Sequence, residues 1–205
     1  LDTHMIMPKI GLGTRKLSPA EATNVCLTWL DLGYRHIDTA QIYENEEGVG
    51  QAIKQTTIDR KDFFLTTKVR IDKFNYKKCI ASVEESLKKL QTDYIDLVLM
   101  HRPNPQMDHL GTLDALLELK SQWKIRMIWV SNFTLSLLEQ AIQHTKNQIY
   151  CNQIEMHPLF DPVKIRTFCQ KNNIAITAYS PLAHGKIFEE NTLKVIADKH
   201  NKTVA

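Results

Sequence analysis

The sequence predicts an α/β fold: a parallel (β/α)8 TIM barrel whose C-terminal part, the last two strands, lies outside the chain. Three observations predict it. Strand-like apolar runs alternate with helix-like runs of about 10 to 15 residues, the mark of βαβ units and a parallel sheet. Several strand-like runs are apolar almost throughout, as in Ile95-Asp96-Leu97-Val98-Leu99-Met100, which suits strands covered on both faces. Successive runs also stop at polar residues of matched chemistry, and a parallel barrel keeps its chemistry at the C-terminal ends of its strands.

Taken in order, Gly11-Leu12-Gly13-Thr14 reads as a turn in an N-terminal hairpin. It lacks the third glycine of a dinucleotide fingerprint and follows no βαβ strand. Ser18 and Pro19 read as the cap and first position of a helix running to about Leu32, with Gly33 as its stop. Then come strand 35–38, helix 46–55 and strand 63–68. Helix 76–90 carries Ile80, Val83, Leu87 and Leu90 at spacings of three and four. Strand 94–101, helix 112–122, strand 125–131, helix 136–144, strand 149–155, helix 162–171, strand 175–179 and helix 192–200 follow. Six strands thus end near Asp38, Lys68, His101, Ser131, Glu155 and Tyr179. A barrel needs eight, and a sheet with two bare edges invites aggregation. The 205 residues are therefore expected to be one barrel domain, incomplete at its C-terminus.

Composition narrows the function classes. The chain is 43% hydrophobic and 24% charged with a net charge of +3, ordinary for a globular domain. Acids and bases interleave, as with Glu84-Glu85 beside Lys88-Lys89, so no basic stripe addresses nucleic acid. Cys26, Cys79, Cys151 and Cys169 form no C-x-x-C pair and read as reduced, structural thiols of a cytoplasmic protein. No apolar run approaches the roughly 18 residues that span a membrane. The eight histidines are dispersed and no metal motif is present; His4, His109, His144 and His200 read as surface residues.

Four strand ends carry an acid, a phenol, an amine and an imidazole: Asp38 with Tyr43, then Lys68, then His101. An unperturbed phenol is a poor acid at neutral pH, and an ammonium beside it eases loss of its proton. The acid would hold the ammonium in place, and the imidazole would donate to a substrate oxygen or relay a proton. Each residue alone has a plainer reading: a turn Asp, a half-buried Tyr, a solvated Lys, a satisfied neutral His. Four matched groups at successive strand ends outweigh those readings. Ser131, Asn132, Gln153, Tyr179 and Ser180 also stand at strand ends. Amides pair with a carboxamide and a phenol ring stacks on a flat heterocycle, which suits a nicotinamide ring. The plainer reading has Ser131 and Asn132 cap the next helix, and both roles could hold together.

The segments Met7–Thr14, Gly33–Ala40, Leu65–Val69, Asp96–His101, Val130–Phe133, Asn152–Glu155 and Ala178–Leu182, in this order, resemble the aldo-keto reductase family. The stretches Gln41–Glu46 and Leu90–Tyr94 look most like its bacterial 2,5-diketo-D-gluconate and methylglyoxal reductases. The resemblance implies an NADPH-dependent reductase of small carbonyl compounds, monomeric and cytoplasmic. It implies a tetrad of Asp38, Tyr43, Lys68 and His101, with Tyr43 as proton donor. It places Thr14, Asp38, Ser131, Asn132, Gln153, Tyr179, Ser180 and Leu182 at NADP contacts, Tyr179 stacking on the nicotinamide. It places Arg15, Arg70, His101 and Arg102 in the substrate pocket.

This sequence departs from the family pattern at several of these positions. Arg15 replaces an aromatic residue, and Arg70 and Arg102 replace tryptophans. Trp123 and Trp129 replace glycines, one at a helix end and one in a strand. The family's grip on the 2′-phosphate lies in its last two strands, after Ala205, so the preference between NADPH and NADH is not legible here. Two other readings stay open: a non-catalytic nicotinamide-nucleotide sensor on the same fold, and an inactive truncated fragment.

Overall fold

The computed structural model describes residues 7–104 and 106–205; His4 lies outside them. Seven strands form one sheet in sequence order. They are β1 (Leu12–Gly13), β2 (His36–Asp38), β3 (Phe64–Val69), β4 (Ile95–Met100), β5 (Ile125–Ser131), β6 (Cys151–Glu155) and β7 (Ala175–Tyr179). Every neighbouring pair is parallel. A helix follows each strand: α1 (Pro19–Asp31), α2 (Glu46–Gln55), α3 (Tyr76–Leu90), α4 (His109–Ser121), α5 (Leu135–His144), α6 (Val163–Lys171) and α7 (Asn191–Lys199).

The sheet is curled, and one side-chain bond demonstrates it. Gln153 in the middle of β6 donates to Asp38 at the end of β2 over 2.8 Å. Four strand spacings in a flat sheet would hold them roughly 19 Å apart. The arrangement is an incomplete (β/α) barrel, one strand short of eight, with β1 and β7 at its edges.

The strands alternate between two cores. Leu65, Val98, Ile128 and Val130 face outward into the layer shared with the helices. Phe64, Leu97, Leu99, Trp129 and Cys151 form a separate cluster inside the barrel. At the N-terminal ends of the strands the fully buried Asp96 accepts from Arg60 at 2.7 Å, Arg126 at 3.0 Å and the Leu65 N–H at 2.9 Å. Both guanidinium groups lie 4.1 Å from the Tyr94 ring centre, so each charge is paired and stacked.

Helix α2 packs unusually close to its neighbours. A Cβ on Gly48 would stand 2.0 Å from the Pro19 carbonyl oxygen, and one on Gly50 would stand 2.0 Å from that of Lys89. Ser18 caps α1 through a full capping box with Glu21, and Gly33 just beyond it has φ +90°, as its sequence position required.

Some expectations change. Leu12–Gly13 is no hairpin turn but the first strand, paired in parallel with Ile37–Asp38. A two-residue strand containing glycine carries no readable alternation, so six strands were legible while seven are present among the described residues, and the barrel lacks one strand there rather than the expected two. Helix α4 begins at His109, capped by Asp108. His109 is not a surface residue. Its ring packs edge-on between Phe74 and Phe133, its Nε2 is buried without a partner, and burial lowers its pKa. His144 pairs with Asp114 at 2.7 Å, and His200 is exposed. All four thiols are buried and unpaired; burial pushes Cys26, Cys79 and Cys151 up to about 12. Trp123 occupies the glycine-like conformation, φ 62°, and the residue is 65% exposed. Trp129 fills the barrel interior, its indole Nε1 buried without a hydrogen bond.

Candidate active site

The C-terminal ends of the strands open onto a cleft of about 1380 Å³. Asp38, Tyr43, Lys68 and His101 all line it. Lys68 ends inside β3 and is 1% exposed, a position an ammonium tolerates only if paired. Its Nζ donates to Asp38 Oδ1 and, at 3.0 Å, to the Thr39 carbonyl. The other Asp38 oxygen receives Gln153, so this carboxylate is bound from β3 and from β6.

Tyr43 closes a 3-10 turn, Gln41–Tyr43, that ends with Glu44 in the left-handed region, φ 56°. Gln41 pins the turn. Its amide donates to the Ser82 carbonyl and to Ser86 Oγ, both at 3.1 Å, and accepts from the Arg70 N–H at 2.8 Å. The Tyr43 ring centre then lies 5.3 Å from Lys68 Nζ and 5.7 Å from the His101 ring, the two rings at 82°. His101 is held near 4, far below its ordinary 6.5: burial is the larger cause and the Lys68 charge the next. It is therefore neutral at physiological pH and offers an N–H rather than a cationic acid.

On the far side, Asn132 adopts φ 59° immediately after β5, a conformation asparagine accepts more readily than most residues. Its amide turns back, donating to the His101 carbonyl at 3.2 Å and to Ser131 Oγ at 3.0 Å, and accepting from the Tyr179 hydroxyl at 2.9 Å. Ser131 Oγ donates to the Gln153 carbonyl at 2.9 Å. The helix-capping alternative for Ser131 and Asn132 falls away, since Thr134 caps α5. Burial raises the Tyr179 pKa.

Ser131, Asn132, Gln153, Tyr179, Ser180, Arg15 and Arg102 reach the cleft wall; Thr14, Arg70 and Leu182 are not part of it. The Thr14 hydroxyl is buried against Thr39 at 2.9 Å and Asn45 at 3.3 Å. Arg70 turns to Asp72 at 2.8 Å.

Asn45 was not singled out by its sequence. It precedes α2 yet makes no side-chain cap. Its amide instead donates to the carbonyls of Thr14 at 2.8 Å and Leu17 at 2.9 Å and accepts from Thr39 at 3.1 Å, locking the loop after β1 to the loop that follows Asp38. Only the missing cap could have hinted at this.

The profile of the Aldo/keto reductase family matches residues 9–204. The chain belongs to that family. An aldo-keto reductase is an oxidoreductase, and this one has relatives of the same chemistry. It is 43% identical over 204 residues to methylglyoxal reductase DkgB of Yersinia pestis, covering 98% of this chain and 76% of that protein. It superposes on an aldo/keto reductase from Brucella melitensis with a TM-score of 0.91 at 44% identity, over 96% of this chain and 76% of the other. It superposes with a TM-score of 0.88 on a Bombyx mori aldo-keto reductase solved in complex with NADP, at 32% identity over 97% and 74% of the two chains.

Proposed function

We propose that this aldo-keto reductase uses NADPH to reduce small aldehydes and ketones, methylglyoxal-like dicarbonyls among them, with Tyr43 as the proton donor. The observation that carries the reading is the buried Lys68, paired with Asp38 and lying 5.3 Å from the Tyr43 ring centre at the cleft wall. The relative named methylglyoxal reductase supports the substrate class.

The cleft residues fit a nicotinamide nucleotide. The Asn132 and Gln153 amides and the Ser131 hydroxyl can give and take hydrogen bonds with a carboxamide. Tyr179, fixed at its hydroxyl by Asn132, offers a ring face for stacking. When bound, the reduced nicotinamide supplies the hydride.

The chain's own residues handle the proton. Neutral His101 donates to the carbonyl oxygen and orients it. Tyr43 passes its hydroxyl proton to that oxygen as negative charge develops there. The Lys68 ammonium stabilises the phenolate left behind, and Asp38 with the Thr39 carbonyl keeps that ammonium in place.

Tyr43→Phe tests this. General acid catalysis contributes about 10²–10⁴-fold, so the variant should lose that much kcat on methylglyoxal while NADPH fluorescence titration gives an unchanged Kd. Retention of most turnover would sink the proton-donor role. Tight NADPH binding by the native chain without turnover on a broad carbonyl panel would leave a nucleotide sensor instead.

A further inference from the structure

Two guanidinium groups stand at the mouth of the cleft, and neither joins an ion pair among the described residues. Arg15 follows the end of β1 and Arg102 follows the end of β4, next to His101. Those strands are three apart in a curled sheet, and both residues line the cleft. Arg70, nearby, is held by Asp72, while Lys9 and Lys16 line the same cleft and add to its positive charge. Lys68 is held by Asp38, the one carboxylate in the wall among the described residues. The positive potential of Arg15 and Arg102 is thus uncompensated. It acts on titratable groups of the cleft: both charges add to the depression of the His101 pKa, behind burial and Lys68, and both oppose the burial-driven rise at Tyr179.

We infer that Arg15 and Arg102 select carbonyl substrates that carry a carboxylate, the acid seated between the two guanidinium groups while the carbonyl meets Tyr43 and His101. An arginine fork matches a carboxylate in geometry as well as in charge. A cleft this wide, lined by unpaired cations beside one paired acid, also draws anions toward the reacting groups. The selection rests on the reductase reading above, and it turns a general carbonyl site into one for short oxo acids.

The test compares succinic semialdehyde with its methyl ester, which keeps the aldehyde and loses the charge. Native enzyme should show kcat/KM about tenfold or more higher on the acid, the scale of one charge-assisted hydrogen bond at a partly exposed site. The advantage should shrink with added salt. In Arg15→Gln, Arg102→Gln and the double variant the acid-to-ester ratio should fall toward one. A native ratio near one overturns the selection while leaving the reductase intact; no turnover of either compound overturns the reductase reading itself. If the variants weaken NADPH binding and lower kcat/KM equally on both compounds, the two arginines hold the nucleotide rather than the substrate, and the selection fails.

Discussion

His101 makes the fold acid-sensitive in a way that one substitution should reveal. Its pKa falls from 6.5 to about 4 because burial, and then the Lys68 charge, disfavour the imidazolium. The unfolded chain therefore binds this proton more readily than the folded chain below pH 6.5. Stability from His101 is complete at neutral pH, declines as pH falls through 6.5, and levels off near 4. At roughly 1.4 kcal/mol per decade, the full loss is about 3 kcal/mol, of which about 2 kcal/mol should be gone by pH 5. His101→Gln keeps a hydrogen-bond donor and cannot titrate. Urea unfolding of both proteins from pH 8 to pH 4 isolates this one group, since every other titrating residue is shared. The native protein should lose about 2 kcal/mol more than the variant between pH 7.5 and pH 5. Parallel stability curves would show that His101 titrates normally, and the neutral-donor role proposed for it would go with them.

Other substitutions test the packing. Trp123→Gly should raise stability by about 1 kcal/mol, read as a higher Tm, because φ 62° strains any residue with a Cβ and the exposed ring contributes little burial. Trp129→Phe removes a buried indole N–H that has no partner; urea unfolding should change by less than about 1 kcal/mol, against about 3–5 kcal/mol for Trp129→Ala. Gly48→Ala should cost about 1–3 kcal/mol in the same assay, since its Cβ meets a backbone oxygen at 2.0 Å that no side-chain rotation can move.

The strand ends were legible because an apolar run that stops at a polar residue leaves both a periodic and a chemical trace. Asp38, Lys68 and His101 show it, and the structure gathers all three with Tyr43 at one cleft. The first strand left no such trace: Leu12–Gly13 is too short to alternate, and glycine argues for a turn. Thr14 sits beside the site in sequence, yet its hydroxyl turns inward to Thr39 and Asn45. Asn45 itself looks like any helix cap until its partners, 28 and 31 residues earlier, are seen. Long-range polar contacts of this kind have no local signature. Arg15 and Arg102 were visible only as departures from a pattern; their freedom from ion pairs required the side chains.

Asp38 joins the two halves of this account. Its carboxylate accepts Lys68 from the next strand and Gln153 from a strand four positions away. The first bond sets the charge beneath Tyr43. The second spans the barrel mouth and brings the amide-rich side of the cleft up to the proton-transfer side. Curvature and chemistry at this site thus share one residue. An aspartate there is favoured over a longer or neutral side chain because both oxygens must be used, in different directions, by donors that arrive from opposite walls.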